Sequence, residues 1–98
     1  MLIYYIFEYI TLSLRYKLKR LGTVLHSIDN ILIVRADKTL ESNALYPNSM
    51  VITKTMKRIG RVKELFGPEK NPYISIKLFN EIKDSEIMKL KKERVYLA

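Results

Sequence analysis

The chain has no cysteine and no tryptophan, one histidine, three glycines and three prolines among 98 residues. Without cysteine there is no disulfide, no thiolate nucleophile and no Cys-ligated zinc. The fold must therefore be stable from its core alone, and a reducing cytoplasm is the expected location. Small secreted disulfide scaffolds are excluded. A single histidine, His26, does not build a metal site and would have to serve any Ser-His-Asp triad alone. With glycine only at positions 22, 60 and 67 there is no Gly-rich phosphate loop. Acidic residues are also scarce: ten Asp and Glu stand against eighteen Lys and Arg, a formal charge of +8. That balance favours a polyanionic setting such as RNA or its complexes, without naming a contact. Apolar and aromatic residues make up 48% of the chain, enough for one core in one small domain and too few for two.

The longest apolar stretch, MLIYYIFEYITLSL, is interrupted by Glu8, Thr11 and Ser13. It is shorter than the roughly 20 residues a spanning helix needs. Its basic cluster, Arg15, Lys17, Lys19 and Arg20, follows the apolar run instead of preceding it, opposite to a secretory signal. Docking on the domain or on a partner is the reading favoured over membrane anchoring through Tyr4, Tyr5, Tyr9 and Tyr16.

From Lys19 onward the pattern is one of short strands and turns. Arg20 to His26 and Ile31 to Ala36 are aliphatic runs separated by Ser27-Ile28-Asp29-Asn30, and the Asp-Asn pair tolerates the left-handed backbone of a hairpin loop. Between Ala36 and Ser49 the periodicity gives way to Asp, Ser, Asn and Pro, which predicts a long loop before a strand MVITKTM and a turn at Lys57-Arg58. Ile59 to Phe66 alternates as a strand, with Val62 opposed to Arg61 and Lys63 and with Gly60 marking a bulge or bend. The run YISIKLF has the clearest period of two: Ile74, Ile76 and Leu78 on one face, Tyr73, Ser75, Lys77 and Phe79 on the other. Asp84 to Glu93 admits a helix, with Ser85 as a cap and Ile87, Leu90 and Arg94 at helical spacing. Lys89, Lys91 and Lys92 fit equally well as turn residues before a last strand, Arg94 to Leu97. Six short strands without repeated crossover helices predict an all-β fold, a small antiparallel barrel closed by pairing the last strand with an early one.

Few residues suit catalysis. His26 reads as a hydrogen-bonded strand-end residue, and Glu64 and Glu69, which flank FGP, read as solvated charges, because a barrel this small is filled by its own side chains. No catalytic residue, metal or cofactor is expected. Lys54, Lys57, Arg58, Arg61 and Lys63 fall within ten positions and form a candidate RNA-proximal basic group; Lys89, Lys91, Lys92 and Arg94 form a second. Two prolines and a glycine between Phe66 and Tyr73 fix a loop flanked by large apolar groups. Such a loop either packs on its own barrel or offers a pre-ordered anchor to another protein.

The segments KRLGTVLHS (19 to 27), ILIVRAD (31 to 37) and IGRVKELFGPEKNPYISIKL (59 to 78) resemble the Gar-type accessory subunit of the box H/ACA ribonucleoproteins that guide RNA pseudouridylation. The most specific part is the block G-x-V-x-[DE]-x-F-G-P-x-x-x-P-Y, here Gly60, Val62, Glu64, Phe66, Gly67, Pro68, Pro72 and Tyr73. The resemblance implies a six-stranded antiparallel barrel similar to the second domain of translation elongation factors, with no catalysis of its own. It implies a barrel, one copy per complex, that binds the catalytic domain of a TruB-like pseudouridine synthase, away from the guide RNA; the constrained loop and its match to the block make Phe66, Gly67, Pro68, Pro72 and Tyr73 the expected contact. The other H/ACA proteins and the guide RNA are then partners through the complex, and the barrel assists loading and release of substrate RNA. Gly/Arg-rich tails are absent from this sequence, so RNA binding by such tails does not carry over. Residues 1 to 17 have no counterpart in the compact archaeal pattern, and the boundary between extension and domain is set there, with Leu18 as a candidate start because UUG encodes both leucine and a start. The rival readings are an independent RNA-binding barrel of cold-shock or OB type and a translation-factor fragment.

Overall fold

The computed structural model describes residues 19–40 and 45–98, so the apolar N-terminal run and its expected docking, like the 17/18 boundary, lie outside the described residues. The chain forms β1 (Lys19–Ile28), β2 (Ile31–Ala36), β3 (Met50–Thr53), β4 (Arg58–Phe66), β5 (Tyr73–Leu78), α1 (Asp84–Lys89) and β6 (Arg94–Leu97). The strands close in the order β1-β2-β5-β4-β3-β6, every neighbouring pair antiparallel, with β6 hydrogen-bonded to both β1 and β3. The expected six-stranded antiparallel barrel is therefore present.

Closure follows from bulges. The β1 register slips between Val24 and His26 against β2 and between Arg20 and Gly22 against β6. In β4 it slips at Ile59 against β3 and at Lys63 against β5. Each extra residue bends its strand and sharpens the right-handed twist, which is what curls six short strands into a closed surface. The interior is aliphatic: Leu21, Leu32, Val34, Val51, Ile74, Ile76 and Val95 have no accessible surface. Gly60, expected at a bulge or bend, stands beside the Ile59 bulge, and a Cβ there would lie 2.3 Å from the Lys77 carbonyl oxygen, so only glycine lets β4 and β5 approach this closely.

Several boundaries differ from the expectation, among them the start of β1 at Lys19 and the end of β5 at Leu78. Ser27 and Ile28 still belong to β1, and the hairpin turn contracts to Asp29-Asn30, with Asp29 at φ 55°. The third strand ends at Thr53, not Met56, because the Thr53 hydroxyl accepts the N–H groups of Thr55 (3.3 Å) and Lys57 (3.2 Å) and folds the chain into a turn. That turn precedes Arg58, which already belongs to β4. Both readings of the C-terminal stretch are partly right: a helix runs over Asp84–Lys89 and a strand over Arg94–Leu97. Ser85 does not cap the helix; Lys83 is the N-cap and makes no side-chain capping bond. Helix α1 instead docks through Ile87, which with Leu90 packs against the core, so tertiary contact holds a helix too short to be stable alone.

Candidate functional site

The β4–β5 hairpin presents the loop singled out by its prolines. Phe66 and Tyr73 are paired across the two strands, which brings their rings to 5.7 Å between centroids at 36°. The chain then turns through Gly67, whose φ of +88° is a left-handed conformation. A Cβ at this position would be 2.8 Å from Cδ2 of Tyr73, so the glycine backbone lies directly on the tyrosine ring. At the other end the Pro72 carbonyl accepts the N–H of Ala36 (3.0 Å), fastening the loop to the end of β2.

These contacts divide the five expected partner-binding residues into two roles. Tyr73 and Pro72 are half-buried and, with Gly67, form the support; Phe66, 40% exposed, and the exposed Pro68 are what the support presents. Leu65, 41% exposed, joins them and was missed by reading the strand as a simple alternation. The bulge at Lys63 shifts the side-chain parity, so Leu65 pairs with Ile74 and continues the interior row past the end of the barrel. There it lines a depression of about 290 Å³ with Leu40, Leu45 and Pro72.

The five basic residues do not form one patch. Lys54 pairs with Glu93 (3.1 Å) and Lys57 with Glu86, on the side of the barrel where α1 and β6 meet. The bond and charge of Lys57 hold the Glu86 carboxyl below the usual carboxylate range. Together these residues rim an apolar-floored depression of about 330 Å³ over Ile59, Ile82 and Leu90. Arg61 and Lys63 lie elsewhere, in a groove of about 340 Å³ that also includes Lys77, Phe79, Asn48 and Glu81. Arg58 lines neither groove. Lys77 was absent from the basic group because its proximity is set by strand pairing, Arg61 opposite Lys77, and not by sequence distance. Phe79, expected in the same strand as Tyr73, lies just beyond the end of β5 at Leu78, and Ser75, expected on their face, is buried, so the two rings stand at opposite ends of the segment and do not make one aromatic platform. His26 is an exposed strand residue opposite Ile33, and Glu64 and Glu69 are exposed. Asp37 is held below the ordinary aspartate range, first by the Thr39 hydroxyl, with the Thr39 N–H (3.0 Å) and the charges of Arg20 and Arg94 adding to it against a smaller desolvation effect.

A model of the Gar1/Naf1 RNA binding region matches residues 18–98. The chain belongs to this family. An uncharacterised protein of Methanothermobacter thermautotrophicus is 44% identical over 61 residues, 61% of this chain and 61% of that protein. Human H/ACA ribonucleoprotein complex subunit 1 is 33% identical over 72 residues, 74% of this chain and 33% of that protein. The chain thus spans less than two thirds of the length of these curated relatives. Among solved structures, the Gar1 domain of Naf1 superposes with a TM-score of 0.63 at 24% identity, covering 83% of this chain and 84% of that one. This likeness shows the shared barrel fold. The FGP…PY block, residues 66–73, lies within the matched span.

Proposed function

We propose that this protein is a non-catalytic subunit of an H/ACA ribonucleoprotein, held to a TruB-like pseudouridine synthase by the loop between β4 and β5 and assisting the loading and release of substrate RNA. Its membership of the Gar1/Naf1 family and its likeness to a human protein named as an H/ACA subunit support the setting. The observation that carries the docking reading is the Gly67–Tyr73 stack, which leaves Phe66 exposed on a backbone fixed by Gly67, Pro68 and Pro72. An aromatic anchor on a pre-ordered loop loses little entropy on binding, and truncating such an anchor typically costs about 2 kcal/mol or more.

The test is co-purification and titration of the chain with the TruB-like synthase of the same organism. Phe66→Ala is expected to weaken the complex by roughly thirtyfold, at about 1.4 kcal/mol per tenfold, while Lys91→Ala leaves it unchanged. The chain alone is expected to isomerise no uridine, and its addition to the synthase with guide RNA is expected to raise turnover. A folded Phe66→Ala protein that binds the synthase as tightly as wild type removes the docking reading.

A further inference from the structure

We infer that the apolar run ahead of β1, residues 1–17, folds back along the open edge of β4 at Lys63–Phe66 and covers Leu65 and Phe66 until a partner of the β4–β5 loop displaces it. The identity of that partner rests on the function proposed above; the contact within the chain does not. The first observation is a strand edge left open. Against β3, β4 pairs at Arg58, Gly60 and Arg61. The last bonds on that side join Val62 to the turn before β3: its N–H donates to the Ser49 carbonyl (2.9 Å) and its carbonyl accepts the Asn48 N–H (2.8 Å). Beyond Val62 the strand continues through Lys63, Glu64, Leu65 and Phe66 with β5 on one side. On the other side no strand lies beside it among the described residues. An open edge is a template for further pairing unless charge or a covering segment shields it. Lys63 and Glu64 carry opposite charges and leave this edge neutral. Leu65 and Phe66 are exposed on it, and Tyr46 is exposed in the neighbouring turn.

The second observation is where the chain enters the barrel. Lys19 and Phe66 stand at the same end: Lys19 pairs with Leu97, the Asp37 N–H donates to the Leu21 carbonyl (2.9 Å), and Arg35, just before Asp37, pairs with Tyr73 opposite Phe66. In the closed order β1-β2-β5-β4-β3-β6, β4 is three strands from β1 either way round. That is a lateral separation of no more than about 15 Å, at about 4.8 Å per strand. Even with an equal offset along the strands, about seven extended residues cross it. The rest of the run, MLIYYIFEYI, is then available to the edge. Its β-branched and aromatic side chains suit an added strand. Its one charged side chain, Glu8, is opposite in sign to Lys63 and to Lys70 of the β4–β5 loop. Another edge, His26–Ile28 of β1, is paired only with β2 among the described residues. It lies at the far end of β1, about 30 Å from Lys19, and a tether favours the nearer site. Tethering also sets the strength. A flexible link of this length presents the run at an effective concentration in the millimolar range, so a contact too weak for a separate peptide closes within the chain.

The experiment is amide hydrogen exchange, read by NMR, on the full chain and on the same chain carrying Ile6→Asp and Phe7→Asp together. Adjacent residues of a strand face opposite ways, so the two substitutions spoil either face. A run closed in about nine molecules of ten protects an amide roughly tenfold and lowers the apparent affinity of a competing partner by the same factor. The outward amides of Lys63–Phe66 are therefore expected to exchange roughly tenfold faster in the double variant, with those of His26–Ile28 unchanged. Ile28→Asp, at the other edge, should match wild type. A cooperative melt establishes that each barrel is folded. Titration with the synthase reads the competition, and the double variant is expected to bind roughly tenfold more tightly than wild type. The inference is overturned if the β4 amides exchange alike in the two chains, or if the His26–Ile28 amides are the ones released. Protection that grows with protein concentration, together with a dimer in sedimentation, overturns it as well, because the run of a second copy then fills the edge. If the β4 amides are released but both chains bind the synthase equally, the run and the synthase do not share a surface and displacement is refuted. If the amides are released and neither chain binds the synthase, the contact stands and the docking reading falls.

Discussion

Gly22 shows how little room the barrel leaves at single positions. It pairs with Ala36 on one side and Val95 on the other, and a Cβ there would fall 2.0 Å from the Arg35 carbonyl oxygen, an atom of backbone that does not swing aside. Gly22→Ala is expected to destabilise by about 1–3 kcal/mol, the range for forced overpacking, visible as a fall in melting temperature of roughly 4–8 °C per kcal/mol. An unchanged melt would mean that β1 and β2 can separate locally without cost. Asp37 makes a different residue-scale case. Its carboxylate accepts from both the Thr39 hydroxyl and the Thr39 N–H, and its folded-state pKa is depressed. A depressed acid contributes stability above its unfolded pKa, and this contribution is lost as the pH falls through the folded value. The stability advantage of wild type over Asp37→Asn is therefore expected at neutral pH and should vanish in acid, below about pH 4. It should not exceed about 1 kcal/mol, because solvent screens the site. Urea midpoints of the two proteins across this pH range test it; a gap that widens in acid contradicts the assignment.

At the scale of elements, the β4–β5 hairpin carries the loop proposed to dock on the synthase and separates two effects that a single alanine scan would confuse. Tyr73 is half-buried beneath Gly67 and paired with both Phe66 and Arg35, so Tyr73→Ala removes the support together with any contact to a partner. It is expected to lower both the melting temperature and synthase affinity, the latter by roughly thirtyfold. Phe66→Ala should lower affinity with much less effect on melting, because the ring is already 40% exposed. If melting falls equally in the two variants, Phe66 is also part of the barrel's packing and the division of roles fails. The same hairpin explains why its strand was legible and its exposed edge was not. Ile74, Ile76 and Leu78 are all buried, as a period of two requires, although Ser75 between the two isoleucines is buried as well. In β4 the bulge at Lys63 breaks the alternation, so Leu65 could not be assigned to a face by counting.

The whole molecule depends on closure. β6 is four residues long, yet it joins β1 to β3, and Val95 at its centre is fully buried between them. The interior is one aliphatic cluster with contributions from all six strands, so a cavity opened anywhere in it weakens the entire barrel. Ile76→Ala, at a position with no exposure, is expected to cost about 2–5 kcal/mol. That is a large part of the roughly 5–15 kcal/mol typical of a domain. Denaturant unfolding should show a lower midpoint with an unchanged slope; a midpoint close to wild type would show that the interior repacks.

What was legible from residue order alone were the features encoded locally: the apolar periodicity of β5, the left-handed preference of Asp29, the stiff Phe66–Tyr73 loop, and the block shared with the family. Each depends on residues within a few positions of one another, where backbone and side-chain preferences act directly. The division of the basic residues was decided by the folded chain. Lys54 and Lys57 find carboxylates on α1 and on the segment before β6, Glu86 and Glu93, far away in sequence, while Arg61 meets Lys77 through strand register. Register and closure in turn rest on four bulges, each the collective result of packing six strands around one aliphatic interior; Gly60 marks one of them locally, and no local pattern in the sequence records where the packing inserts the other three.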